Sequence, residues 1–452
     1  MIQLKCSFFD GSMDKEKIEK LLKCSKGILG KRQSLYNRYT RIKSPADMMA
    51  GQNGNTLAAW EYYIIHMADG CFGGVAPQYK AMGDNSELYQ EQIDNIRRFN
   101  DDSDVFANLI HYFNTTSAAY LYIGENGDNE IEYEVLNPLN TIVIYDYGIR
   151  PKPVAAILFR TEDNEQILEI ITAKRRIIRN SKGEAIAFSD YDENGNEAEM
   201  YEKQLFWDEL PIIPFERKDP IALYEPVLPL IDQFEQMLTN IKNTTQYNDN
   251  AILVMMGYRP EHPEHISDAD GNVIPNPEAQ KEDSRLHNAS TFYLQDGGDA
   301  RWLIKDVPYS GIIQFLRELI SLILMLSITP NLSDQNFSGN TSGIAHGYKL
   351  FAPEQLGATI YEVFRRGYLA LWRLITSRLN TRNQSNYNFR DIDIKFTQNI
   401  PTDENQRALM LTNLVRFNAV SQETAIRIAA QILGVDASEE INKVLDEDGL
   451  KP

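Results

Sequence analysis

Thr329-Pro-Asn-Leu-Ser-Asp-Gln-Asn-Phe-Ser-Gly-Asn-Thr-Ser-Gly-Ile-Ala345 separates two helix-length apolar patterns, and its reading organises the rest of the chain. It is poor in charge and rich in Asn, Ser, Gly and Thr, a composition that cannot bury a core; a mobile polar loop is expected. Upstream, Ile312, Ile313, Phe315, Leu316, Leu319, Ile320, Ile323 and Leu324 recur at helical spacing. Downstream, the run from Ile344 to Leu379 carries Tyr348, Leu350, Leu356, Ile360, Val363, Phe364, Leu369, Leu371 and Leu374 at the same period. Helix, small polar loop, long helix is the pattern to explain.

At 452 residues the chain exceeds one typical domain, so two or more modules with their own cores are expected. A hydrophobic share of 43% and a charged share of 24% are those of a folded globular chain and exclude wholesale disorder. The longest apolar run, Leu319 to Ile328, is interrupted only by serines and covers about half of the ~20 residues a bilayer span needs. A buried or intersubunit helix is expected there, not a membrane anchor. Met1 to Asp10 lacks the charged start and long apolar stretch of a signal peptide, so use in a cytoplasm is expected. Cys6, Cys24 and Cys71 are too scattered for a disulfide framework or a zinc knuckle and read as reduced structural thiols.

The net charge of -19 argues against a protein that grips nucleic-acid phosphates through a general basic surface. The charge is uneven. Asp14 to Lys43 holds ten Lys or Arg against three acids, whereas Asp436 to Pro452 holds six acids against two lysines.

Patterning predicts a charged helix over Met13 to Arg41, a helix from Thr56 to Gly70 ending on Gly73-Gly74 as a tight reversal, and one helix from Glu87 to about Thr115. From Ala118 to Phe215 the period falls to two. Strands are predicted at Tyr120 to Ile123, Ile131 to Val135, Thr141 to Tyr145, Val154 to Arg160, Ile167 to Thr172 and Ile186 to Ser189, with turns at Asn126-Gly127, Lys182-Gly183 and Asn194-Gly195. An antiparallel β region beside the N-terminal helices follows. Pro226 pre-sets a helix to about Asn248. Between it and the helix from Pro308 to Ile328, short strands are predicted at Ala251 to Met256 and Thr291 to Leu294. After the long helix ends near Asn380, a strand from Asp391 to Phe396 precedes helices opening on Thr402, Ser421 and Ser438.

Motifs that carry chemistry fail on inspection. Ser25-Lys-Gly-Ile-Leu-Gly-Lys-Arg32 puts Ser25 where a phosphate loop needs glycine and Arg32 where it needs Ser or Thr, and no apolar strand precedes it. Asp190-Tyr-Asp-Glu-Asn-Gly195 opens like a calcium loop, but the twelfth position is Tyr201 rather than a carboxylate. His262-Pro-Glu-His265 with Asp268 and Asp270 is broken by proline, which prevents both imidazoles from sharing a helix face. His66, His111, His287 and His346 have no Ser or Cys at nucleophile spacing. A metal-dependent enzyme acting on nucleic acid through Asp190 and Asp192, or Asp268 and Asp270, stays as the competing reading. No cofactor and no metal are expected.

The segment Asn340-Thr-Ser-Gly-Ile-Ala345 resembles the Ser-Gly-aliphatic-Ala signature of bacteriophage portal proteins of the siphophage type. Pro211-Ile-Ile-Pro-Phe215 followed by Leu230-Ile-Asp232, Asn137-Pro138 before Thr141 to Tyr145, and Phe396 to Pro401 followed by Val420-Ser-Gln-Glu-Thr424 match in the same order. The resemblance covers roughly Trp60 to Glu447. It implies an α+β ring subunit with a wing over 1–225, a first stem helix over 226–250, a clip over 251–306, a second stem helix over 307–328, a tunnel loop over 329–343, a long wing helix and returning strand over 344–400, and a helical crown over 401–452. It implies no enzyme activity and a ring, usually of twelve copies, at one capsid vertex in the virion, assembled in the host cytoplasm. Asn331, Ser333, Gln335, Asn336, Ser338, Asn340 and Thr341 would touch double-stranded DNA briefly and without sequence preference. Arg259, His262, His265, Arg285, Arg301 and Lys305 would serve the clip, which docks the large terminase subunit and later the head-to-tail connector or adaptor. The major capsid and scaffolding proteins are further implied partners, and a membrane is not.

Overall fold

The computed structural model describes residues 2–10, 13–42, 56–83, 86–162, 165–191, 197–217, 220–249, 252–256, 262–267, 272–281, 299–303, 308–331, 343–399, 404–417, 419–433 and 441. It is a mixed α+β fold in two units, one made of Met1–Lys43, Ala59–Leu230 and Ser321–Pro452, the other of Ser44–Ala58 and Ile231–Ile320.

The larger unit is built in layers. Helix α1 (Lys15–Tyr39) is capped at Asp14, whose carboxylate accepts from the Lys17 amide at 3.0 Å. Its Ile18 and Leu21 bury against one face of a sheet ordered β1 (Ile2–Gln3), β5 (Thr141–Tyr145), β6 (Pro153–Glu162), β7 (Glu165–Thr172), β8 (Arg175–Asn180) and β12 (Glu202–Gln204), with β9 (Ala185–Ile186) paired to β8; β10 (Phe188–Tyr191) and β11 (Glu197–Met200) form a separate antiparallel pair. The strand pairings within Ala118 to Phe215 are antiparallel, as expected, and β1, arriving from outside that stretch, adds a parallel pairing with β5. Strand β8 follows β7 after a two-residue break and escaped the period-two reading because arginines interrupt it.

The opposite face of that sheet packs on β3 (Ala118–Glu125), the middle of a three-stranded sheet with β4 (Ile131–Leu136) and β13 (Ile212–Glu216). Ala118 and Tyr120 point to this inner layer, while Ala119, Leu121 and Ile123 point the other way into a helical layer. Burial on both faces explains why β3 reads as a continuous apolar run rather than an alternation.

The helical layer contains α2 (Trp60–Gly73), α3 (Ser86–Phe99), α4 (Asp102–Thr116) and the 41-residue α7 (Gly343–Asn383). Its core joins Phe106, Ile110, Phe215, Phe364, Tyr368 and Trp372. The predicted single helix from Glu87 to Thr115 is two, broken where Asp101 adopts φ 46°. Asn100-Asp101-Asp102 stops the helix because Asn and Asp tolerate left-handed backbone and their side chains bond to nearby main chain. Gly73 and Gly74 allow close packing rather than a positive-φ reversal. A Cβ on Gly73 would meet Ile110 at 3.2 Å, and one on Gly74 would meet the Gly70 carbonyl oxygen at 2.5 Å. A further missed strand, β2 (Gln78–Ala81), pairs antiparallel with β18 (Ile392–Lys395). Helices α8 (Glu404–Arg416) and α9 (Gln422–Leu433) follow, with the Ser421 hydroxyl accepting from the Thr424 amide at 3.2 Å.

A 3-10 turn at Glu225–Val227, bearing Pro226, leads into α5 (Leu228–Asp249), which belongs to the smaller unit from Ile231 onward. Buried Glu235 accepts from the Ala58 amide at 2.8 Å, and Thr239 accepts from the Thr56 amide at 2.9 Å, pinning the segment before α2 onto this helix. The smaller unit also holds the antiparallel pairs β14 (Ile252–Met256) with β17 (Asp299–Leu303) and β15 (His265–Ser267) with β16 (Val273–Pro275), and α6 (Tyr309–Leu326) as far as Ile320. The strand predicted at Thr291 to Leu294, the Asn194-Gly195 turn and the helix starts at Thr402 and Ser438 lie outside the described residues.

Candidate functional site: the path from α6 into α7

Helix α6 spans 18 residues and, by length and composition alone, is long and apolar enough to cross a membrane. The expected apolar run, Leu319 to Ile328, is only the C-terminal part of this helix, which also takes in the apolar residues of Tyr309 to Glu318. Leu319, Ile323 and Leu324 are buried, while Tyr309, Ile313, Phe315, Met325 and Leu326 are exposed. A helix apolar on more than one side has a second face to cover.

The helix ends in a Schellman cap. The Thr329 amide donates to the Leu324 carbonyl at 2.9 Å and the Ile328 amide to the Met325 carbonyl at 3.2 Å. Ile328 therefore sits at φ 58°, a region that glycine normally fills and a β-branched residue enters at a cost. Ser327 and Thr329, both buried, close the turn with a hydroxyl pair at 2.9 Å. The Tyr63 hydroxyl then donates to the Pro330 carbonyl at 3.4 Å, holding the start of the polar segment against α2. Sequence reading found neither anchor, because Ile at a helix C-terminus carries no stop signal.

Of the expected DNA-contacting residues, Asn331 is half-buried immediately after this anchor. Ser333, Gln335, Asn336, Ser338, Asn340 and Thr341 lie outside the described residues. The chain re-enters at Gly343 as α7, which contains Pro353 and then buries Ile360, Phe364, Tyr368, Trp372 and Ile375 along one stripe. Gly367 lets it approach β13: a Cβ there would overlap the Phe215 ring at 2.2 Å.

Of the expected clip residues, His262 and His265 are exposed at the β15–β16 hairpin, whereas Arg301 is exposed on β17, in a different strand pair. The hairpin is held by Asn276, a residue the sequence reading overlooked although Asn before Pro is a turn signal. Its amide donates to Glu264 O at 2.9 Å, its side chain donates to Pro263 O at 2.8 Å, and its side-chain oxygen accepts from the Glu278 amide at 3.0 Å. Exposed Ile266, Val273 and Ile274 give this hairpin an apolar surface. Arg259, Arg285 and Lys305 lie outside the described residues, as do Asp268 and Asp270.

The remaining chemistry-bearing motifs have structural employment. Ser25 to Arg32 is helical throughout. The Ser25 hydroxyl donates to the Leu21 carbonyl, and the buried Arg32 guanidinium donates to Pro138 O at 3.1 Å, Thr141 O at 3.0 Å, the Tyr120 hydroxyl at 2.7 Å and Glu216 at 3.0 Å. Burial weighs against that charge, yet Tyr120 and Glu216 together push the Arg32 pKa up. This clamp fixes α1 to both sheets. Asp190 is bound by Arg176 at 2.5 Å and Lys203 at 2.7 Å, so its carboxylate is not open to a metal, and Asp192 is outside the described residues. Among the described residues no group of three or more His, Cys, Asp or Glu side chains gathers in a metal-holding cluster.

A helical and β-rich body, an apolar helix with an unspent face, and a charge-poor segment leading into a 41-residue helix together describe a subunit made for assembly. Residues 13–449 match the family model described as "Phage portal protein, SPP1 Gp6-like", and the chain belongs to that family. It is accordingly a portal subunit, part of the ring at one capsid vertex. No curated protein matches the chain. Among solved structures, it is similar to a chain in the neck of an empty GTA particle computed with C6 symmetry, at 14% identity over 87% of this chain and 95% of that one, with a TM-score of 0.44. A chain in the neck of a native GTA particle computed with C12 symmetry matches at 14% identity over 87% and 93%, with a TM-score of 0.39. One in the virion of a native gene transfer agent (GTA) particle matches at 14% over 90% and 93%, with a TM-score of 0.42.

Proposed function

We propose that twelve copies close into a ring whose bore passes double-stranded DNA inward during packaging and outward during ejection. The carrying observation is the match across residues 13–449 joined to the order apolar helix, charge-poor segment, long helix. In this reading α5 and α6 are the stem, α6 covering its exposed apolar face against a neighbouring copy, and the segment from Asn331 to Thr341 lines the bore. Its Asn, Ser and Gln side chains offer short hydrogen bonds to phosphates without strong charge pairing, so each contact breaks quickly. The net charge of -19 acts the same way, since DNA is repelled from the walls rather than held.

The residues between α5 and α6 are the clip, docking the large terminase subunit during packaging and the head-to-tail connector or adaptor afterwards. His262, His265, Arg301, Arg259, Arg285 and Lys305 belong to that surface. Residues 1–225 form the wing with α7 and the returning strand β18, α8 and α9 form the crown, and the major capsid and scaffolding proteins are further partners. No catalytic step is assigned to the chain; the energy for pumping comes from a partner. Assembly takes place in the host cytoplasm.

Electron micrographs of purified particles, with the mass measured in parallel, test this reading. Rings with an axial hole are expected. Monomers under every condition, including co-expression with the capsid protein, would sink it. Because α6 also passes the composition test for a span, flotation with liposomes is a second arm, and the protein is expected to remain unbound.

A further inference from the structure

Two surface features of the larger unit have no part in the reading above. The first is a groove of about 990 Å³ along the side of β3 and β4 that turns toward the main sheet. Its floor is Tyr122, whose ring folds across Gly124 so closely that a Cβ there would meet it at 3.0 Å. Its wall carries Trp207 and Phe206, the latter 68% exposed. The cations along the lining are already engaged: Arg176 and Lys203 on Asp190, and Arg378 on Glu125 through two bonds of 2.5 and 2.6 Å. Glu132 and Glu134, alternate outward residues of β4, have no ion pair among the described residues. An acidic groove with aromatic walls favours positive side chains, through both Coulomb attraction and the negative faces of the rings.

The second feature is the outer stripe of α1. Lys23, Lys26, Gly27 and Gly30 recur at i, i+3, i+4 and i+7 and so share one face. Both lysines are exposed without an ion pair among the described residues. No heavy atom lies within 4 Å of where a Cβ would stand on Gly27 or Gly30, so the helix backbone is bare to an approaching partner.

These features lie on opposite flanks. Helix α1 covers the face of the main sheet that carries Ile170 and Ile177, while Arg176, which lines the groove, alternates with Ile177 and projects from the other face. A closed ring requires two different, mutually complementary patches on each subunit, because every interface is head to tail. We propose that Lys23 and Lys26 of one subunit enter the groove of the next, against Glu132 and Glu134. This pairing rests on the ring reading and sets the direction in which subunits join, since charges at an interface govern orientation and encounter more than affinity.

A charge swap on the full-length protein tests it, with assembly followed by mass photometry and folding by circular dichroism. Glu132→Lys/Glu134→Lys and Lys23→Glu/Lys26→Glu should each raise the concentration for half-assembly by about tenfold or more, and the four-residue swap should restore it to within about threefold of the parent. The same charge change placed elsewhere, Glu162→Lys/Glu165→Lys, should leave assembly unaltered. Folded variants that assemble normally, or a swap without rescue, overturn the pairing while leaving the ring intact. An effect of the glutamate pair alone also overturns it, since the groove would then meet a part of the neighbouring copy other than Lys23 and Lys26. If the parent protein closes no ring, the ring reading itself fails.

Discussion

The amide of Thr329 reaches back to the carbonyl of Leu324 at 2.9 Å and, together with the Ile328 amide on the Met325 carbonyl at 3.2 Å, holds Ile328 in left-handed backbone. For an L-residue this conformation costs roughly 1–2 kcal/mol, more for one branched at Cβ. The strain stands at the point where α6 hands over to the polar segment, so the turn is fixed by its bonds and not by the preference of its residue.

Ile328→Gly should therefore stabilise the fold by about 1 kcal/mol less the extra freedom glycine gains when unfolded, leaving a net gain of a few tenths. Thermal unfolding decides it. A variant with a melting temperature well below the parent would mean that the Ile328 side chain supplies packing that outweighs its backbone cost.

Gly367 and Phe215 set the distance between α7 and β13. A methyl at 367 would have to displace an aromatic ring that is itself fully buried, so Gly367→Ala should destabilise by about 1–3 kcal/mol, the usual cost of overpacking. Pairing it with Phe215→Leu should return part of that loss, because the smaller side chain vacates the overlap. Chemical denaturation of the single and double variants measures both, and strict additivity would show that the two positions do not compete for space.

Two side-chain carboxamides close open sheet edges. Asn100 donates to the Ile131 carbonyl at 2.9 Å and accepts from the Tyr133 amide at 2.7 Å, while Gln90 does the same for Tyr79 and Ala81 at 3.3 and 2.8 Å. Each replaces one residue of a missing neighbouring strand, which protects the edge from pairing with another chain. Asn100→Ala should cost about 1–3 kcal/mol for the orphaned groups and raise aggregation on mild heating. Light scattering at matched stability separates the two effects; an unchanged onset would remove the protective role.

These edges also show where sequence reading stops. The strand region, the long α7 and the helix around Leu319 were legible because each repeats its apolar residues at one period for several turns or strands. Asn100 read as a helix residue, and β2 as a connector, because their partners lie far along the chain. Gln78–Ala81 becomes a strand only when Ile392–Lys395 arrives beside it. For the site, composition picked out the segment after Ile328, yet its anchors, Tyr63 on the Pro330 carbonyl and the left-handed Ile328, depend on tertiary packing and carry no local mark.

Buried tyrosines give the fold a limit on the alkaline side. Burial pushes Tyr89 and Tyr122 up to about 12, and lifts Tyr79, Tyr120 and Tyr368 well above the ordinary phenol value of 10. Between the unfolded and folded values the native state binds more protons, so stability must fall as pH rises from about 10 toward 12, and the contribution is fully present below 10. Absorbance at the phenolate band should rise in two stages, exposed tyrosines first and the buried set together with unfolding. One smooth titration near pH 10 with the fold intact would contradict the burial of these rings.

The bore reading makes a demand on the polar segment that stability cannot meet. Asn336 and Asn340 belong to the proposed DNA-contacting set, and their composition, not a core contact, is what the reading uses. Replacing both with lysine should leave folding and ring formation near the parent while placing two added positive charges per subunit against passing phosphates. Each lysine that neutralises a phosphate strengthens binding and makes it salt-dependent, with a slope of about 0.9 per contact, so DNA would be gripped where it must slide. Packaging in a reconstituted motor should slow or stall at low salt and recover as salt rises. Normal packaging at every salt concentration would take the segment out of the DNA path, whatever the ring itself looks like.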